Sequence, residues 1–186
     1  EVTFPMQTMA KCRLVSGKTS RLKIGMVAYA GNKRRADISV GQMKINGDGT
    51  VIDARTGLSW ASTASSAGEG MNLDDAVASV SELRAGGYSD WRLPDRDEML
   101  TLVDAIPVDV RIAGKGMVFL KERFHIDLSG DQFWTKTRSH DHGATDERYY
   151  FCMLANGEIG DIHRVGECSY IAVRGILKAQ FRAKGE

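Results

Sequence analysis

The run Gly87-Tyr88-Ser89-Asp90-Trp91-Arg92-Leu93-Pro94-Asp95 constrains the fold of this chain more than any other stretch. It lies between two segments with strong helix signals. Before it, Asn72 stands as an N-cap with Asp75 in capping-box position, and Asp74 adds charge that favours a helix N-terminus. Leu73, Ala76, Val77, Val80 and Leu83 then form one apolar stripe, which Gly86-Gly87 stop. After it, Asp95 caps a second helix and Glu98 completes the box. Met99, Leu100, Leu102 and Val103 face inward until Pro107. An indole, a guanidinium, a leucine and a proline in succession predict a packed joint. Trp91 and Leu93 should be buried, Arg92 should hydrogen-bond locally, and Pro94 should set the start of the second helix.

The flanking segments read mostly as strands. Val2-Thr3-Phe4, Arg13-Leu14-Val15, Leu22 to Tyr29 and Ile38-Ser39-Val40 are separated by glycine-containing turns. Asn46-Gly47-Asp48-Gly49 is a turn leading into Thr50-Val51-Ile52-Asp53, and Ala54-Arg55-Thr56-Gly57 leads into Leu58-Ser59-Trp60, giving a hairpin with Trp60 at its inner end. Residues 61–70 read as a loop. A short helix fits Met117 to Phe124. Further strands fit Gln132 to Thr137, Tyr149 to Leu154, Ile159 to Val165 and Tyr170 to Val173, with a polar loop from Arg138 to Arg148. Strands, two helices, then strands predict an α+β fold with a mostly antiparallel sheet. The expected division is a β-rich arm over residues 1–44, a domain over 45–176 and a tail over 177–186.

Net charge is only +1, but its distribution is uneven. Residues 1–44 carry nine basic side chains against Glu1 and Asp37, while the remainder is acidic by six. Such an arm is expected to lie on its own acidic body or on a neighbouring chain through Arg13, Lys18, Arg21, Lys23, Lys33, Arg34 and Arg35. Nucleic acid is not the expected partner, because Tyr29 is the one aromatic among these cations and base stacking needs more. Membrane insertion is not expected either: the longest apolar stretch, Ile24 to Ala30, falls far short of the roughly 20 residues of a membrane helix. The chain begins at Glu1, as it would after loss of a leader or a longer N-terminus, so the lack of a secretory signal says little about compartment.

Tests for chemistry are mostly negative. Gly17-Lys18-Thr19 resembles the end of a phosphate loop, but Cys12 stands where the leading glycine belongs. No GxGxxG or GxSxG occurs. The pairs Asp74/Asp75 and Asp95/Asp97 are explained by helix capping. The Asn46–Gly49 run lacks the third acidic position and the closing glutamate of a calcium loop. Ser139-His140-Asp141-His142 offers two histidines around an aspartate, which reads either as a solvated loop or as part of a metal site with no third ligand in view. No metal and no cofactor are expected. Cys12, Cys152 and Cys168 allow one disulfide plus a free thiol, or three thiols; Cys152–Cys168 is the expected pair in an oxidising compartment.

Taken in order, Asn46 to Asp53, Thr56-Gly57-Leu58-Ser59-Trp60, Gly87 to Pro94 with Glu98, Leu102 and Val103, Phe133-Trp134-Thr135-Lys136-Thr137, Asn156-Gly157 and Tyr170-Ile171-Ala172-Val173-Arg174-Gly175 resemble the Lcl C-terminal domain family. The resemblance covers about residues 45–176. It implies a C-type-lectin-like fold, related to the scaffold of formylglycine-generating enzymes, and an extracellular, cell-surface or virion-surface location. Members are mostly non-enzymatic modules on secreted, pilus-associated or surface proteins, and some bind sulfated glycans through basic, often trimeric, surfaces. Ala172 stands where the family often has a cysteine, so a disulfide using that position is absent.

This resemblance implies a non-enzymatic binding module for a polysaccharide or another surface ligand. Trp134, Lys136, Arg138, His140, His142 and Arg148 are the expected ligand-binding residues, since an aromatic with nearby cations suits an anionic sugar. Trp134 also reads as a core residue. A different expectation is a structural or assembly subunit of a virion, fibre or pilus, homo-oligomeric or bound to neighbouring subunits through its basic arm.

Overall fold

The structure is a computed structural model that describes residues 2–3, 11–12, 43–63, 70–128, 130–140, 142 and 145–182. The chain divides into two compact units, Glu1–Ile38 and Ser39–Glu186. In the first, β1 (Val2–Thr3) pairs antiparallel with β2 (Lys11–Cys12). The strands expected at Arg13 to Val15, Leu22 to Tyr29 and Ile38 to Val40 lie outside the described residues. So do Arg13, Lys18, Arg21, Lys23, Lys33, Arg34 and Arg35.

The second unit begins with the expected hairpin and one strand more. β3 (Met43–Ile45), β4 (Thr50–Asp53) and β5 (Leu58–Ala61) run antiparallel, and β9 (Val173–Arg174) completes a sheet in the order β3-β4-β5-β9. The turn before β4 closes when Asp48 Oδ1 accepts from the Thr50 backbone N–H at 3.0 Å and from its hydroxyl at 2.6 Å. Val51, Leu58 and Trp60 point inward.

α1 (Leu73–Glu82) starts where Asn72 accepts from the Asp75 N–H at 3.0 Å. Its buried face is Leu73, Ala76 and Val80; the expected inward position of Val77 is corrected, because it is 51% exposed. At 3.6 residues per turn the spacing 73, 76, 80 holds one line, and Val77 lies about 100° past Ala76. After α1 the chain turns through Ala85-Gly86-Gly87. Gly86 holds a φ of 61°, and a β-carbon there would strike Thr50 of the hairpin.

α2 (Arg96–Asp104) carries both halves of the expected capping box, Asp95 with Glu98, and buries Met99, Leu102 and Val103. The short helix expected near Met117 is α4 (Gly116–Phe124). It is preceded by α3 (Val108–Ile112), five residues without a buried side chain and hence without a readable stripe. The two-helix expectation is therefore corrected to four α-helices among the described residues.

A second antiparallel sheet joins β6 (Phe133–Arg138), β7 (Arg148–Met153) and β8 (Glu158–His163) in that order. Its two faces serve two separate hydrophobic clusters. Phe133, Cys152 and Ile159, opposite one another, pack with α2, α4 and the first sheet. Trp134, Phe151 and Ile162 pack with α1, Trp91, Leu93 and Ala172. One sheet thus has a helix on each side. Within the second unit the expected single sheet is two sheets, and the fold is α+β.

Cys152 belongs to the first cluster and Cys168 to the second, on opposite sides of that wall. Both are free, which corrects the expected Cys152–Cys168 pair. Burial pushes each thiol up to about 12. Beyond β9, Leu177 is buried and Lys178 donates from Nζ to the carbonyls of Ala54 and Arg55, so Lys178 packs on the β4–β5 turn. No helix of the described residues is long and apolar enough to cross a membrane.

Candidate functional site

The joint from Gly87 to Asp95 is occupied by structural bonds. Trp91 and Leu93 are buried, and Trp91 Nε1 donates to the Ala85 carbonyl at 3.1 Å. The Arg92 backbone makes two hydrogen bonds with Val173, while its guanidinium reaches Glu98, Leu93 and Gly175. Arg174 pairs with Asp90 and lies 3.6 Å from the centroid of the Tyr88 ring. Every charged group named here except Asp95, the α2 cap, is matched by an opposite charge, so the joint offers little to a charged ligand.

The joint does, however, place the first turn of α2 against β6. Lys136 N–H donates to the Pro94 carbonyl at 2.8 Å, and Arg96 N–H donates to Thr137 Oγ1 at 2.8 Å. Arg96 then extends over the Tyr150 ring of β7, 4.9 Å from its centroid. Both Arg96 and Lys136 are exposed, and Lys136 acts through its charge on the Glu98 carboxylate. A guanidinium on an aromatic face beside an ammonium is a ready partner for an anion.

A second cluster lies where β6 ends and β7 begins. Asp161, on β8 opposite Tyr150, accepts from Arg148 Nε at 2.5 Å and from Ser139 Oγ at 3.0 Å, and its Oδ2 lies 3.1 Å from His142 Nε2. Arg148 also donates from Nη2 to the Asp161 backbone carbonyl at 3.1 Å. The Arg148 hydrogen bond holds the Asp161 carboxyl below the usual carboxylate range, against a smaller opposing effect of burial. Arg148 is held up by the same bond.

The residues expected from the sequence separate in this frame. Trp134 is fully buried in the second cluster and donates from Nε1 to the Met71 carbonyl at 2.7 Å, so its expected contact with ligand is corrected to a core role. Lys136 and His140 are exposed, Arg138 is half-buried, and His142 and Arg148 meet at Asp161. Sequence reasoning named Ser139 only as part of the Ser139–His142 run and missed Arg96, Tyr150 and Asp161. Asp161 carried a signal: it is the one acidic residue in the stretch from Ile159 to Val165, between Ile159 and Ile162. No group of three or more His, Cys, Asp or Glu with metal-binding geometry occurs among the described residues.

No curated protein matches the chain. The family model described as the Lcl C-terminal domain matches residues 49–174, a span that contains the two sheets of the second unit except β3, the four α-helices, and the Arg96 and Asp161 clusters. The chain belongs to the Lcl C-terminal domain family.

Proposed function

We propose that this chain carries a non-enzymatic, surface-displayed binding module of C-type-lectin-like fold that recognises an anionic polysaccharide. The contact is the rim where α2 meets the second sheet. The observation that carries this reading is Arg96 over Tyr150 with Lys136 on the adjoining strand, two exposed cations at one edge of the domain. Sulfate and carboxylate groups spaced along a polysaccharide suit such points, and several weak contacts along one chain add through avidity. Arg148, Arg138, His140 and His142 extend the same rim. Binding of the full chain to dextran sulfate and to neutral dextran, measured from low to high salt, tests the reading. Salt-sensitive binding to the sulfated polymer alone is expected; no binding to any anionic polysaccharide at low salt sinks it.

The segregated charge of residues 1–44 favours a second reading, a subunit of a fibre, pilus or virion whose basic arm docks on a neighbouring chain. The deletion that tests it should stop at Ile38, where the first compact unit ends, because Met43–Ile45 is a strand of the domain's own sheet. A truncated chain that still assembles but no longer binds ligand contradicts this second reading.

A further inference from the structure

Three donors of the kinds that bind sulfate or carboxylate converge on Asp161: a guanidinium from the start of β7, a hydroxyl from the end of β6 and an imidazole from the intervening loop. Each comes from a different place in the chain, and one carboxylate of β8 gathers them. Resting on the polysaccharide-binding reading above, we propose that Asp161 is an internal stand-in for the ligand's anionic group: it fills the anion position formed by Arg148, Ser139 and His142, and a ligand sulfate or carboxylate binds there by displacing it.

The cluster is reachable from solvent. The side chain of His142 is 45% exposed and that of Arg148 29%, whereas Asp161 is 14% exposed beneath them. An incoming anion therefore meets Arg148 and His142 before the carboxylate, and reaches the buried Ser139 hydroxyl only once Asp161 has moved aside. Arg148 need not move far to change partners, because its Nη2 bond to the Asp161 backbone carbonyl does not depend on the carboxylate. While Asp161 is in place, Arg148 is neutralised and the rim's attraction rests on Arg96 and Lys136. Asp146 also acts on Arg148, so freeing the guanidinium exposes only part of a full charge. The arrangement is an autoinhibitory contact: it restrains non-specific attraction to polyanions and yields to a ligand that already holds the outer rim. Such a restraint raises specificity at the expense of affinity.

Asp161→Asn tests this, because it keeps the shape of the side chain, removes its charge and exchanges one accepting oxygen for a donating amide. Full-chain D161N is expected to bind dextran sulfate roughly tenfold more tightly, the effect of one added charge-assisted hydrogen bond. The gain should disappear in D161N/R148Q. A folded D161N with unchanged or weaker binding, beside a wild-type chain that binds, overturns the internal stand-in and leaves the polysaccharide reading intact. Failure of wild type and D161N alike to bind overturns both. Should D161N not fold, the wild-type chain still decides. In NMR titration with a sulfated dextran oligosaccharide, the Arg148 Nε–H and His142 ring signals should shift along with Arg96. Shifts confined to Arg96 and Lys136 count against displacement of Asp161.

Discussion

Arg92 grips Glu98 through two hydrogen bonds of 2.6 Å, one to each carboxylate oxygen, and thereby ties the joint to the first turn of the helix it introduces. Glu98 is 1% exposed, and its Oε2 also accepts from the Asp95 N–H to close the capping box. One buried carboxylate thus serves as helix cap and as anchor for the chain that precedes the helix. A bidentate pair of this kind fixes direction as well as distance.

Removing the guanidinium leaves that carboxylate buried without its counter-charge. Arg92→Ala is expected to destabilise the domain by about 3 kcal/mol, the usual cost of breaking a buried pair from one side. Urea unfolding followed by tryptophan fluorescence measures it. A loss below about 1 kcal/mol, the level of a surface ion pair, contradicts the role given to Glu98.

Acid should reveal the same group. Burial alone would raise the Glu98 carboxyl, but its hydrogen bonds to Arg92 and to the Asp95 N–H bring it below its ordinary value of 4.5. A carboxyl depressed in the folded state contributes stability that is present above its unfolded value and lost as pH falls through the folded one. Asp161, lowered chiefly by Arg148, acts in the same direction. The melting temperature should therefore hold from neutral pH to about 4.5 and fall below it, and Glu98→Gln should flatten that fall. Equal slopes for wild type and variant between pH 5 and pH 2.5 contradict this assignment.

Trp91 and Trp134, buried like Trp60, should behave as core residues. Trp91→Ala and Trp134→Ala are each expected to cost roughly 3–5 kcal/mol, as large-to-small changes in packed interiors do. Circular dichroism and thermal melts check this. A Trp134→Ala chain that melts like wild type yet loses polysaccharide binding would restore the indole to the ligand site.

On the rim the expectation is reversed. Arg96→Gln and Lys136→Gln should leave the melting temperature within a few degrees of wild type and weaken dextran sulfate binding, with a shallower salt dependence for each charge removed. Unchanged binding in the double variant locates the contact elsewhere.

Because Cys152 and Cys168 are buried thiols in separate clusters, reductant should not move the melting temperature of the domain. Alkylation of both under native conditions should be slow and should accelerate with unfolding, since burial raises each thiol to about 12 and the thiolate is the reactive form. A lower melting temperature in dithiothreitol points to a bond between them.

Local signals were legible where the physics is local. Asn72, Asp95 and Glu98 announced two helices through capping chemistry, and Asn46-Gly47-Asp48-Gly49 announced its turn; all of these lie as expected. The site was less legible, because it is assembled across distance. Arg96 meets Tyr150 only after α2 lies on β7, and Asp161 meets Ser139 and Arg148 only once three strands are in register. Trp134 misled for a related reason. In β6 the fully buried residues are Phe133, Trp134 and Thr135, so no alternation marks which face is solvent.

That run of three buried residues has a further consequence. Phe133 belongs to one hydrophobic cluster and Trp134 to the other, so β6 is a wall with rooms on both sides. Neither cluster can lose its order without removing a surface on which the other rests. Sliding β6 by one residue would deliver each ring to the wrong interior. The two clusters are therefore bound to melt as one transition, and variation that preserves this domain belongs in the segment that leaves β6 at Ser139 rather than in the strand itself.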